Sequence, residues 1–179
     1  MTFFKTAFLG FALSFSAAHA QDLSDEARTA MIDRVDGFSE SLAEGDMGAV
    51  FDYMPPKILT LLAEQSGLEE EALIEMSKAQ IETAMASVTM DDFAMDIEAA
   101  TYQMTPDGSR GYLLIPTQSL MTVEGAGMMK ASSETLVFED GGEWYVARVD
   151  EPSQAALVQT AYPEFAGITF APGTVEAAE

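Results

Sequence analysis

The sequence predicts an α+β domain, with N-terminal helices packed on a curved, cone-like antiparallel β-meander of four or more strands. Three observations carry that expectation. Apolar residues recur at spacings of three and four from Ala27 to Met85, the period of a helix with one buried face. From Phe93 onward the spacing becomes two, the period of a strand. The turn-forming stretches "TPDGS", "EGAG" and "EDGGE" then divide the remaining apolar runs at hairpin spacing.

Ser24, followed by Asp25 and Glu26, places a capping hydroxyl and two acids at the positive end of a helix dipole. Ala27, Met31, Val35, Phe38 and Leu42 form its apolar stripe, and Gly45 stands where the helix stops. Asp46 caps a short second helix running through Phe51. "YMPPK" then breaks the chain, because a residue before proline avoids helical angles. Pro56 opens a third helix, "KILTLLAEQSG", which closes on Gly67; its Ile58, Leu59, Leu61 and Leu62 leave little polar face. "LEEEALIEMSKAQIETAMA" is a fourth helix, with Leu73, Ile74, Ile81 and Met85 facing inward.

Phe93, Met95, Ile97 and Ala99 alternate as a strand, and the slip before Tyr102 and Met104 suggests a bulge. "RGYLLIPTQSLMTV", "MMKASSETLVF" and "WYVARV" complete a four-stranded meander, with Pro116 expected at a sheet edge or bulge. "SQAALVQTAY" reads as a short helix, "FAGITF" as a final strand, and residues 172–179 as a flexible tail. The helices are expected to cover one sheet face.

Residues 1–20 have the three parts of a secretory signal peptide. Lys5 is followed by an apolar run from Ala7 to Phe15, and Ala18 and Ala20 frame an A-x-A cleavage site. The run is shorter than the ~20 residues that span a bilayer, so no stable membrane insertion is expected after cleavage at Ala20. Residues 21–171 are then one α+β domain in a periplasmic or secreted protein. Cleavage would also remove His19, the one histidine of a chain without cysteine. That closes Ser-His-Asp and Cys-His catalysis, zinc sites of the Cys/His kind and disulfides to the mature chain.

The full chain carries 30 acids and 8 bases, a net charge of −22; losing Lys5 leaves seven bases and −23. Such a field repels phosphate backbones, so no nucleic-acid partner is expected. The acids are spread along the chain and read as a solvated surface, and none follows a calcium-loop spacing. No metal or cofactor is expected. Methionine is abundant, and Met31, Met76, Met85 and Met95 read as core filling on inward stripes.

A helix ending in "SLAEGDMGAVFDYMPP" and a turn entering the strand "FEDGGEWYVARVD" together resemble the NTF2-like (SnoaL-like, cystatin-like cone) superfamily. Its members commonly show a small-x-GD helix break and a DG-x-W strand. The resemblance covers residues 24–150 as pattern and implies a bent sheet wrapped round helices, with a pocket on the concave side. Enzymes of that superfamily use Asp, His and Tyr in the pocket, but no position here matches an active-site motif, so no catalytic residue is carried over.

Trp144, Val146 and Arg148 alternate onto one face of the last meander strand, opposite Tyr145, Ala147 and Val149. Trp144, Arg148 and Tyr112 are the candidate ligand-binding residues, with Arg148 a cation able to grip a carboxylate. The plainer account pairs Arg148 with one of the many acids. Tyr53, Tyr102 or Tyr112 beside Asp52 or Asp96 would suit enolisation. The expected function is therefore an exported, non-enzymatic binding or accessory protein of the cell envelope, with a small molecule or an envelope protein as partner. The alternatives are a lyase- or isomerase-type enzyme using carboxylate and tyrosine in the same pocket, and an interaction module acting through the sheet edge or Met128 and Met129.

Overall fold

The computed structural model describes residues 23–178. The proposed signal peptide, with Ala20 and His19, lies outside them. No helix of the described residues is long and apolar enough to cross a membrane.

Helix α1 (Asp25–Ala43) starts as its sequence dictates: Ser24 Oγ accepts from the Ala27 N–H at 3.2 Å, and Met31, Val35, Phe38 and Leu42 are buried. Gly45 turns the chain at φ 87°, and the Asp46 carboxylate then accepts from the Ala49 N–H at 3.1 Å. That bond caps a 3₁₀ turn (Met47–Ala49) leading into α2 (Val50–Tyr53). Helix α3 (Pro56–Ser66) begins at a proline whose missing N–H needs no partner there, and it ends on left-handed Gly67. Helix α4 (Glu70–Met85) buries only Leu73. Ile74, Ile81 and Met85 are half-buried, and Met76, expected to face inward, is 44% exposed. Only one residue of α4 reaches full burial because the helix rests mainly on α3 and the 3₁₀ turn and touches the sheet only at β1.

The strands are β1 (Val88–Met95), β2 (Tyr102–Met104), β3 (Gly111–Val123), β4 (Gly127–Asp140), β5 (Glu143–Arg148) and β6 (Thr174–Ala177). They form one curled antiparallel sheet in the order β1-β3-β4-β5; β2 pairs with β3 beyond the end of β1, and β6 pairs with β4 beyond the end of β5. The protein is thus α+β, with helices packed on a curled antiparallel sheet.

Several local expectations are corrected. The bulge falls at Asp91, between Met90 and Asp92, and residues 97–100 form a turn that splits the expected first strand in two. Pro116 lies in the central strand β3, not on a sheet edge. Its carbonyl accepts from Asp96 N–H at 2.8 Å, so its ring nitrogen points into the gap between β1 and β2, where no donor is required. "FAGITF" is not a strand: a 3₁₀ turn (Pro163–Phe165) buries Phe165, and Gly167 at φ 88° turns the chain away. Residues 174–177, read as a loose tail, instead lie along β4 as β6.

Helices also pack on both sheet faces rather than one. Leu113, Ile115, Val137, Trp144 and Val146 join the α1 stripe in one core. Tyr112, Leu136, Phe138, Ala147 and Val149, of opposite parity, meet Ile58 of α3, Val158 of α5 (Pro152–Ala161), Tyr162 and Phe165. Helix α3 and the chain that turns back after β5 together supply this second layer.

Candidate functional site

The strands β3 and β4 outrun their helical cover. Pairing of β4 with β5 ends at Thr135, and below that point the concave face lies beyond the core formed with α1. The inward parity of β3 reads Leu113, Ile115, Thr117, Ser119, Met121, and that of β4 reads Val137, Thr135, Ser133, Ala131. Where the helix cover stops, apolar side chains give way to hydroxyls.

A cavity of about 380 Å³ occupies this region, within the usual size range of small-molecule sites. One wall is apolar: Phe38 and Leu42 from the end of α1, Phe93 from β1, and Met47, Met85, Met90 and Met121. The other is polar, with Thr117, Ser119, Ser133, Thr135, Arg148, Asp150 and Glu151. Thr174 and Val175 of β6 close the side that β5 leaves open, held there by a 2.9 Å bond from Gly173 N–H to the Asp150 carbonyl. A wider groove of about 730 Å³ between α4, the 3₁₀ turn at Met47 and β1 shares Met47, Met85 and Met90 with it. Unbranched methionine side chains at this junction supply an adaptable apolar wall.

Thr117 and Thr135 satisfy each other at 2.7 Å, and Thr117 also donates to the Ile115 carbonyl. Ser119 and Ser133 make no side-chain hydrogen bond among the described residues. Arg148 donates from Nη2 to Asp150 Oδ2 at 2.6 Å and from Nε to Oδ1 at 3.1 Å, a two-point pairing with a carboxylate that is 13% exposed. At the start of α5 the Glu151 N–H donates to Gln154 Oε1 at 3.2 Å, and the Glu151 carboxylate accepts a long bond from Ser153 Oγ at 3.4 Å.

Of the three sequence-derived candidates, Trp144 and Arg148 share the concave face, and Arg148 lines the cavity. Trp144 lies deeper, buried with Phe38 and Leu42, its carbonyl accepting from Arg34 Nε at 3.0 Å. Tyr112 points to the opposite face, where its hydroxyl donates to Gln103 Oε1 at 3.2 Å and burial raises its pKa.

The tyrosines and acids considered for enolisation are not brought together. The Tyr53 ring lies under Arg34 and edge-on to Phe38, while the Asp52 carboxylate is 3.7 Å from Lys78. Asp96 accepts from Ala99 N–H in a local turn. Tyr102 covers Gly111, where an added Cβ would sit 1.6 Å from its hydroxyl. Burial, and then the charge of Glu139, raise the Tyr102 pKa. Among the described residues no tyrosine lines the cavity.

The tyrosine–carboxylate pair that does form was not foreseen: Tyr162 donates to Asp140 at 3.0 Å on the second face. Arg110 joins it, with Nε donating to Glu164 at 2.7 Å, Nη2 to Asp140 at 3.2 Å and Nη1 to the Glu139 carbonyl. Burial, then the bond to Asp140 and its charge, raise the Tyr162 pKa strongly. Burial lowers the Arg110 pKa, but its bonds to Glu164 and Asp140 outweigh that and leave it raised. This network ties the start of β3, the β4–β5 hairpin and the turn after α5 together, and it lines none of the cavities described above.

The hydroxyl row and the methionine wall were also missed, although the row has a sequence signal. In "LIPTQS" and "SSETLV" the inward parity changes from apolar to Ser and Thr without any loss of strand character. Compared with protein families, curated proteins and solved structures, the chain matches none of them.

Proposed function

We propose that the protein is an exported, non-enzymatic carrier or receptor that holds a small, mainly apolar molecule on the concave face of an NTF2-like cone. The observation carrying this reading is the 380 Å³ cavity, apolar on the methionine side and hydroxyl-lined on the sheet side. Burying an apolar body against Met47, Met85, Met90, Met121 and Phe93 supplies the affinity, at about 25 cal/mol per Å² removed from water. The hydroxyls supply orientation. Binding is preferred to catalysis because the shielded carboxylate of the lining, Asp150, is paired with Arg148, Glu151 is exposed to water, and no tyrosine is among the lining residues. Export rests on the leader pattern of residues 1–20.

Filling the cavity tests the reading. Ala131 shares the inward face with Ser133 and lines the cavity. Ala131→Trp is expected to weaken binding of the uncharged fluorescent probe N-phenylnaphthylamine by about 30-fold or more, ~2 kcal/mol. Ser119→Leu is expected to weaken it less, by occupying a smaller volume. Titration of both variants, each checked for an intact fold by circular dichroism, reads this out. Probe affinity equal to wild type in both would place binding elsewhere and defeat the proposal.

A further inference from the structure

We infer that the cavity selects a ligand with an uncharged, hydrogen-bonding head group and turns away anionic ones such as fatty acids, because its one lining cation is already neutralised by Asp150. The inference rests on the binding reading above and specifies the ligand class. An arginine in an apolar-walled pocket ordinarily recruits a carboxylate through paired N–H donors. Here one edge of the guanidinium is occupied from within the chain: Asp150 takes Nε and Nη2 of Arg148 at 3.1 and 2.6 Å, and the other edge belongs to a side chain that is 58% exposed and already charge-neutralised. Asp150 is itself fixed, since its backbone carbonyl holds Gly173 and its side chain is 13% exposed. A ligand carboxylate would have to displace this pair, or lie against a neutral pair and the unneutralised Glu151 with no free cation to match its charge.

A cationic head fares no better. The Arg148–Asp150 pair is neutral, and Glu151, the remaining lining carboxylate, is exposed to water, where pairing with a cation gains little. What the polar wall still offers is hydroxyl: Ser119 and Ser133 line the cavity and can both donate and accept. An alcohol, ester, amide or ketone at the end of an apolar body meets those groups without bringing an unmatched charge into the site.

The test compares 1-decanol with decanoate as competitors of N-phenylnaphthylamine, at a pH where decanoate is ionised. Any apolar site favours the alcohol, so the informative quantity is how the ratio of the two affinities responds to Asp150. Asp150→Asn releases the Arg148 guanidinium, and decanoate should gain on decanol by about tenfold or more, ~1.4 kcal/mol. Asp150→Ser, which also removes the charge, should act in the same direction and serves if the first variant does not fold. An unchanged ratio in a folded variant, or decanoate binding wild type as tightly as decanol, overturns the inference while the cavity reading stands. Competition by both molecules that persists undiminished in Ala131→Trp defeats the cavity reading, and this inference with it.

Discussion

Phe138→Ala should lower the free energy of unfolding by about 3–5 kcal/mol, the usual cost of emptying an aromatic core position. Phe138 is fully buried on the second face of the sheet, with the Tyr162 ring 4.9 Å away and the Phe165 ring 5.0 Å away, both edge-on. Arg110 lies 5.3 Å from the same ring. Removing Phe138 therefore takes away hydrophobic burial, two aromatic pairs and the surface on which Arg110 rests. The rings around the gap are held by the sheet on one side and α5 on the other, so little collapse can offset the loss. For a domain stabilised by about 5–15 kcal/mol in total, that is a large fraction. Urea denaturation of wild type and variant measures it. A loss under about 1 kcal/mol would mean that the chain after β5 does not pack on the sheet as described.

Arg110→Met should cost about 3 kcal/mol, by a different mechanism. The side chains of Arg110, Asp140 and Glu164 are 17%, 19% and 18% exposed, so the substitution strands two carboxylates in a largely dry site. Lys57 remains 3.8 Å from Asp140 but is itself 56% exposed, and it replaces little of the lost pairing. Breaking one partner of such a group costs more than the group is worth as a whole. The double variant Arg110→Met with Glu164→Gln should therefore recover part of the loss, and a double-mutant cycle by denaturation gives the coupling. Simple additivity of the two substitutions would contradict the network.

The elements that sequence revealed most directly are those whose burial follows one period. The α1 stripe, the cap at Ser24, the stop at Gly67 and the alternation of Trp144, Val146 and Arg148 each depend on residues near one another in the chain. Elements that depend on distant partners were harder to read. Strand β6 is exposed along its whole length, and its pairing with β4 runs through backbone groups that carry no side-chain signature. Pro116 reads as an edge or bulge residue because proline lacks a donor, yet the gap left between β1 and β2 satisfies the same requirement within a central strand. Asp140 looks like part of a turn in "EDGGE"; only folding brings it to Tyr162 and Arg110.

The candidate site follows the same division. That Arg148 and Trp144 share a face was legible from strand parity, and so was the prospect of an acid partner for Arg148. That Tyr112 belongs to the other face was equally implicit, because it is out of phase with Leu113 and Ile115. The cavity itself was not legible. It exists because β3 and β4 are 13 and 14 residues long while β5 has 6, so the hairpin extends past its cover. Strand lengths of that kind emerge only once the pairing register is known.

The most direct test of the central claim is methionine methyl NMR of ¹³C-labelled protein titrated with 1-decanol. Met47, Met85, Met90 and Met121 line the concave cavity, whereas Met76 and Met128, 44% and 42% exposed, line neither it nor the adjoining groove. Binding in the cavity should give saturable shifts of the four cavity methyls and none at Met76 or Met128. Shifts confined to Met76 or Met128, or cavity methyls that stay in place while decanol binds, would contradict it.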